Sequence, residues 1–550
     1  MKRLRTLAPG LAVLLVAAAV RLPALTAGLP YMSYVDEGHV LHRALHLLAA
    51  DTWEPDTYSY PSLPFYLVAA AALAWSPVYG AVHGRPLRQD LSPDPPRHYD
   101  VVEPEELIVL ARLITLAFSL GVVVLTGLLA RRLAGSAAGL FAAWLAALVP
   151  ALVARGTIAN VNPMMAFFVL AALLFSEGAR DGDRPRRDAV LAGAMTGLAT
   201  ATKYPAVLVC LPVALAVLLS QAPWTERLRR LLLAGGAAAA ALLLAMPALV
   251  LRTGKVLAAL REMSGVYASQ EIGSYWDQAV RRAEWDLPLE HPEVGIVFLA
   301  LAAAGLIVAL RDRRWSRPVW GWLLFAAATA LLVAPYKFRA FRNLLALVPL
   351  ACVLAALLYA RVRQAVSRHA VWVDLAAAAL PAVLFAPALH QYVGFQLRLE
   401  DSREQASRWL DEHTGPRDRV LFVGELSFVR ARVASLKAAE VDVKPWDRAW
   451  DRILKRRFHY VVLGELTRED GTLRIPPDVR SWIFQNYATA AKFGGYPTHP
   501  YGITFKGNGQ IVYILKRVPR KDRARERRER AGRAARSRPH PNSSPQGEGP

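Results

Sequence analysis

Residues 107–130 read LIVLARLITLAFSLGVVVLTGLLA and run straight into Arg131 and Arg132. At about 1.5 Å per residue this stretch exceeds the roughly 30 Å hydrocarbon core of a bilayer. Its only charge is Arg112, near one end. A basic pair directly after an apolar run belongs on the cytoplasmic side, so the stretch reads as a transmembrane helix whose start faces outward.

Outward from this helix, further apolar blocks occupy about residues 7–29, 136–154, 163–175, 189–202, 205–219, 231–251, 294–310, 319–335, 344–360 and 371–393, about eleven spans in all. Alternate connections carry Arg180 with Arg184, Arg186 and Arg187, then Arg227, Arg229 and Arg230, then Arg311, Arg313, Arg314 and Arg317, and finally Arg361, Arg363 and Arg368. Lys2, Arg3 and Arg5 place the N-terminus on that same cytoplasmic side. The alternative for the first block is a cleaved signal peptide with residues 11–20 as its apolar core, which leaves the later topology unchanged. A span over residues 62–82 would turn every basic cluster outward. The block is therefore read as an apolar helix lying along the outer interface, interrupted by Pro64 and Pro77.

The chain has 550 residues, 54% of them hydrophobic, and a mean hydropathy of +0.25, which excludes a single small soluble domain. The net charge of +22 would suggest nucleic acid in a soluble protein. Residues 516–538 hold 12 basic and 3 acidic side chains, and the remaining excess sits mostly in short loops, so no nucleic-acid partner is expected. Cys210 and Cys352 both lie in apolar blocks, leaving neither a disulfide framework nor a cysteine zinc site.

The expected fold class is an α-helical integral membrane protein with outer interfacial helices and a small C-terminal extracytoplasmic α/β domain. Residues 1–393 form the membrane module, with a strongly acidic first outer loop at about residues 30–106. An odd number of spans leaves everything after about Gly394 outside. In residues 394–517, Ser402–His413 reads as an amphipathic helix, residues 420–423 and Tyr460–Leu463 as buried strands, and residues 503–505 with 511–515 as a hairpin around Lys506-Gly507-Asn508-Gly509. Residues 518–550 turn Arg-rich and then Pro/Ser/Gly-rich, the composition of a disordered, solvated tail.

Chemistry concentrates at the outer ends of the spans. Tyr31-Met32-Ser33-Tyr34-Val35-Asp36-Glu37-Gly38-His39 sets two carboxylates just beyond the first span. They suit a general base, a charge stabiliser or a metal ligand, and equally a helix N-terminus where acidic groups favour the macrodipole. His39, His42 and His46 share a helical face, either metal-binding or merely polar. Tyr275, Trp276 and Trp285 either stack on a sugar or belong to an interfacial aromatic belt. Four more motifs follow: Tyr58-Ser59-Tyr60-Pro61, Arg112 with Arg131-Arg132-Leu133-Ala134-Gly135, Gly197-Leu198-Ala199-Thr200-Ala201-Thr202-Lys203-Tyr204, and Phe338-Arg339-Ala340-Phe341-Arg342-Asn343.

The order of these motifs over about residues 1–393 resembles the polyprenyl-phosphate-sugar-dependent glycosyltransferases of the GT-C fold. The likeness is strongest to bacterial relatives of the dolichyl-phosphate-mannose protein mannosyltransferases and of the lipid A aminoarabinose transferases. The resemblance implies transfer of one sugar from a polyprenyl phosphate to a hydroxyl on a protein, lipid or glycan, at the outer face of a bacterial inner membrane. It makes Asp36 the catalytic candidate with Glu37 beside it. A carboxylate can take the acceptor proton, and a phosphate leaving group needs cations rather than an acid. Lys203, Arg339 and Arg342, with Tyr60, are the candidates for holding the donor phosphate, although such cations can also snorkel to headgroups.

Two positions depart from the family pattern. Where many members carry a second outer acid, this chain has Asn160-Val161-Asn162, and an amide cannot act as a base. Asn160, Asn162 and Glu271 become candidates for positioning the acceptor, with a solvated surface Glu the alternative for Glu271. Tyr60 stands where many relatives have a lysine, so phosphate binding leans on the arginines. No cofactor is required by these motifs, and a divalent cation, Mg or Mn, stays open. The rival readings are a transporter or flippase without chemistry and a degenerate homologue that binds the lipid-linked sugar.

Overall fold

The computed structural model describes residues 2–32, 35–91, 102, 104–267, 294–333, 341–398, 400–415, 417–423, 437–441, 458–463, 481, 483, 485–494 and 512–518. The chain divides into two compact units, one built mainly on Met1–Leu399 and the other on Glu400–Pro497 and Gly507–Pro550.

The first unit is mainly helical over its described residues. In chain order it holds α1 (Lys2–Ala19), α2 (Val35–Ala49), α3 (Leu63–His83), α4 (Glu106–Ala134), α5 (Ser136–Leu148), α6 (Pro150–Arg155), α7 (Asn162–Asp181), α8 (Pro185–Thr202), α9 (Cys210–Leu218), α10 (Trp224–Ala245), α11 (Ala248–Leu251) and α12 (Thr253–Tyr267). These are followed by α13 (Ile296–Arg311), α14 (Arg313–Val333), α15 (Leu347–Ala365) and α16 (Ala370–Arg398). Each apolar block read from the sequence is mainly helical in its described residues. Among the described residues seven helices are long and apolar enough to cross a membrane, and four shorter apolar helices accompany them. The most apolar window of α7 is 83% buried and that of α10 17%, so α7 stands at the centre of the bundle and α10 at its rim.

Without a hydrophobic force to press helices together in lipid, close contact between backbones has to do it. Gly193 and Gly197, one turn apart on α8, supply it: a Cβ at either would run into the carbonyl of Ala234 or Ala238 on α10. Arg21, fully buried just after α1, gives its guanidinium to Ser119 Oγ on α4 and to the carbonyls of Ala17, Ala146 and Ala147, which pins α1 against α4 and α5.

The helix α3 is itself long and apolar enough to span. Its core packing, however, is with α2 and with Leu107, Ile108 and Ala111 in the first turns of α4. Only Leu63 and Leu67 reach the main bundle core. Packing limited to one end of α4 fits a helix laid across that end. At the opposite ends lie the arginine clusters, and exposed Trp224, Trp320 and Trp372, at 63%, 56% and 70%, stand close to them as an interfacial belt would.

In the second unit, α17 (Ser402–His413) packs on a sheet of β1 (Arg419–Val423), β2 (Lys437–Val441), β3 (Tyr460–Leu463), β4 (Tyr487–Phe493) and β5 (Val512–Arg517). The order is β2-β1-β3-β5-β4, with β2, β1 and β3 parallel and β5 antiparallel to both β3 and β4. The expected hairpin falls partly outside the described residues. A strand has two edges, and over Tyr513–Lys516 those of β5 are taken by β3 and β4. Residues 503–505 and the Lys506-Gly507-Asn508-Gly509 turn lie outside the described residues, as does the tail from residue 519.

Candidate active site

The site gathers the helix ends opposite the arginine clusters: the starts of α2, α4 and α7, the end of α8, and the 3-10 turn Phe341–Leu344 before α15. Asp36 and Glu37 occupy the first turn of α2. Glu37 is fully buried and bound at both oxygens, with Arg112 Nε 2.8 Å from Oε1 and Nη2 3.0 Å from Oε2. The Ala159 backbone N–H also donates to Oε1 at 3.0 Å. Arg112, equally enclosed, donates through Nη1 to the carbonyls of Ala24, Leu25 and Ala27. One bidentate pair thereby ties α2, α4, the end of the first span and the turn before α7.

Asp36 has a different environment. Its side chain is 14% exposed, and Oδ2 lies 3.2 Å from Arg342 Nη1. Lys203, at the turn between α8 and the 3-10 segment Tyr204–Val209, directs its ammonium into two carboxamides, Asn162 Oδ1 and Asn343 Oδ1, each at 2.9 Å. Burial pushes the Lys203 ammonium down to about 7; the charges of Arg342 and Arg155 add to the shift and that of Asp36 opposes it. Asn162 is held by Asn160, whose Oδ1 accepts from both the backbone N–H and the Nδ2 of Asn162, while Asn160 Nδ2 donates to the carbonyls of Arg155 and Ile158.

Lys203 and Asn343 line a trough of about 610 Å³. Ser59 and Tyr60 line it together with Met165, Val207, Leu208, Leu260, Met263, Leu332 and Val333. An amphipathic guest whose anionic end meets Lys203 and whose hydrocarbon follows the apolar wall fits this shape.

The structure therefore brings together Asp36, Arg342, Lys203, Asn160 and Asn162, places Tyr60 in the trough wall, and seals Glu37 into an ion pair. Arg339, Glu271, Tyr275, Trp276 and Trp285 lie outside the described residues. Asn343 and Ser59 were quoted within motifs without being singled out. Asn343 follows Arg342 directly, but its link to Lys203 spans 140 positions and has no local signature. Among the described residues a divalent cation finds no ready ligand set. No group of three His, Cys, Asp or Glu among the described residues could hold one, and at Asp36 it would meet the Arg342 guanidinium and the Lys203 ammonium.

Residues 105–251, which carry Arg112, Asn160, Asn162 and Lys203, match the family described as dolichyl-phosphate-mannose-protein mannosyltransferase. The chain is similar in structure to ArnT from Cupriavidus metallidurans bound to undecaprenyl phosphate, with a TM-score of 0.54 at 14% identity, over 92% of this chain and 97% of that one. Apo ArnT gives 0.54 at 15% identity, over 92% and 98%. The oligosaccharyltransferase AglB of Archaeoglobus fulgidus, in complex with an inhibitory peptide and a dolichol-phosphate, gives 0.48 at 14% identity, over 84% of this chain and 69% of that one. No curated protein matches the sequence. Fold and matched segment agree with the motif reading: the chain is a multi-pass membrane protein of the GT-C fold, and its residues 105–251 match the dolichyl-phosphate-mannose-protein mannosyltransferase family.

Proposed function

We propose that the chain is a membrane glycosyltransferase that moves a single sugar from a polyprenyl-phosphate donor to a hydroxyl acceptor at the outer face of a bacterial inner membrane. The observation that carries this reading is an apolar trough lined by Lys203 and Asn343, with the Asp36–Arg342 ion pair close enough to Lys203 for its charges to act on it. A lipid phosphodiester is a ligand class with both a long hydrocarbon and a single anionic head, and the solved ArnT structure holds the corresponding monoester, undecaprenyl phosphate.

In this reading Arg342 is the counter-ion of Asp36 until the donor arrives. The donor phosphate then draws Arg342, with Lys203 and Arg339, and leaves the Asp36 carboxylate free to act. The acceptor oxygen attacks the anomeric carbon, the bond from that carbon to the phosphate oxygen breaks, and the acceptor proton passes to Asp36. The electron pair leaves with the polyprenyl phosphate, whose added charge the three cations stabilise. Tyr60 contributes one uncharged hydrogen bond to the phosphate. Glu37 serves as the anchor that fixes the first turn of α2, and Asn160 and Asn162 orient Lys203 beside the acceptor, where Glu271 is assigned a contact too.

The membrane module at residues 1–393 then has a cytoplasmic N-terminus and cytoplasmic arginine clusters. The domain at residues 394–517 and the tail at 518–550 are extracytoplasmic, with acceptor positioning assigned to the domain. The deciding experiment incubates purified protein in lipid with radiolabelled polyprenyl-phosphate sugars and a membrane extract as acceptor. Transfer by wild type that falls at least about a hundredfold in Asp36→Asn, with folding and lipid binding retained, supports the reading. Donor binding without transfer to any acceptor would move the transporter or binding reading ahead.

A further inference from the structure

His39 lies one turn beyond Asp36 on the same face of α2, and its Nε2 is hydrogen-bonded to Ser59 Oγ at 3.1 Å. Its ring meets that of Tyr60 edge-on, with centroids 4.8 Å apart at 63°, and stands 6.3 Å from the ring of Phe65 in the first turn of α3. Ser59 and Tyr60 both line the trough beside Lys203. The segment that carries them, residues 52–60, has no regular secondary structure and is held by side chains from several directions. The Tyr204 hydroxyl donates to the Tyr58 carbonyl at 2.9 Å, and Glu54 pairs with Arg252 and Lys255. Ties from α2 include Arg43 to Asp56 at 3.6 Å and His39. Of these two, His39 is the one that touches lining residues.

We propose that His39 is a positioning residue for the donor, fixing Ser59 and Tyr60 in the trough wall from the helix that carries Asp36. The inference rests on the transferase reading and deepens it by tying donor affinity to the base-bearing helix. Burial, helped by the charge of Arg43, pushes the His39 imidazole down to about 3, so the ring is neutral at working pH. A neutral ring held at both its nitrogen edge and its face contributes geometry. Its loss therefore shows in donor binding and leaves the pH profile in place.

The test uses the full chain in lipid nanodiscs and undecaprenyl monophosphate as probe, with binding measured directly for wild type, His39→Ala, Ser59→Ala, the double variant and His39→Gln. Each single alanine variant is expected to weaken binding about five- to tenfold, the scale of one hydrogen bond. The double variant should lose no more than either single one, because both remove the same contact. His39→Gln, whose amide can still reach the Ser59 hydroxyl, should restore most of the affinity. In transfer assays the defect of His39→Ala should fall on the donor KM, with kcat and the pH profile unchanged. Equal binding by wild type and the alanine variants, additive losses in the double variant, or a displaced pH profile in His39→Gln would overturn this inference alone. Absence of lipid-phosphate binding by wild type would overturn the transferase reading and this inference with it.

Discussion

Asp36 and Glu37 are adjacent in sequence and opposite in circumstance. Glu37 is closed off with Arg112, whereas Asp36 keeps a partly exposed edge beside Arg342. Removing one partner of a buried, hydrogen-bonded pair leaves an uncompensated charge, at a cost of about 3–5 kcal/mol. Arg112→Met should therefore lower the melting temperature in detergent sharply, while Asp36→Asn should leave it near wild type and remove transfer. Lys203 adds a pH dependence. Its amine is protonated below about 7 and neutral above, and only the cation attracts phosphate. Lipid-phosphate affinity should thus weaken as pH rises from 6 to 9, and Lys203→Met should bind weakly with most of that slope gone; an unchanged slope in Lys203→Met would discard the assignment. At this scale the sequence displayed the residue types but not their partners. Glu37 and Arg112 are 75 positions apart and Lys203 and Asn162 are 41 apart, and periodicity carries no information over such distances.

Elements were far more legible. Long Ala/Leu/Val runs must become helices in lipid, because only a helix satisfies its own backbone there, and composition alone locates them. The strand Tyr460–Leu463 was readable for a related reason, being a short, wholly buried apolar run. The strands Tyr487–Phe493 and Lys437–Val441 were missed. YATAAKF alternates weakly and leaves most of its side chains outside the core, and KAAEV is half small and half charged. Their strand character comes from the neighbours they pair with, which no local pattern records. The contact between α8 and α10 is an element-scale feature open to test. Gly197→Val would push a branched side chain into the backbone of α10, a misfit expected to cost about 1–3 kcal/mol. Its signature is a lower melting temperature with donor affinity per folded molecule retained; unaltered melting would show that α10 can move aside freely.

On the scale of the whole molecule, sidedness is the main consequence. The candidate site residues gather where α4 and α7 begin and α8 ends, and basic clusters gather at the other ends of the same helices. With Cys210 and Cys352 replaced, a cysteine at Arg184 should react with an impermeant maleimide only after the membrane is opened, and one at Glu412 in intact spheroplasts. The reverse pattern would invert the topology and place the proposed chemistry in the cytoplasm. Arg21 bears on how the bundle comes into being. A guanidinium in hydrocarbon is tolerated only when its donors are filled. Three of its four acceptor residues, Ser119, Ala146 and Ala147, are made about a hundred or more residues later in the chain. The first helix thus emerges from the ribosome with an unmet electrical debt. Its final seating, with those donors filled, must wait for α4 and α5.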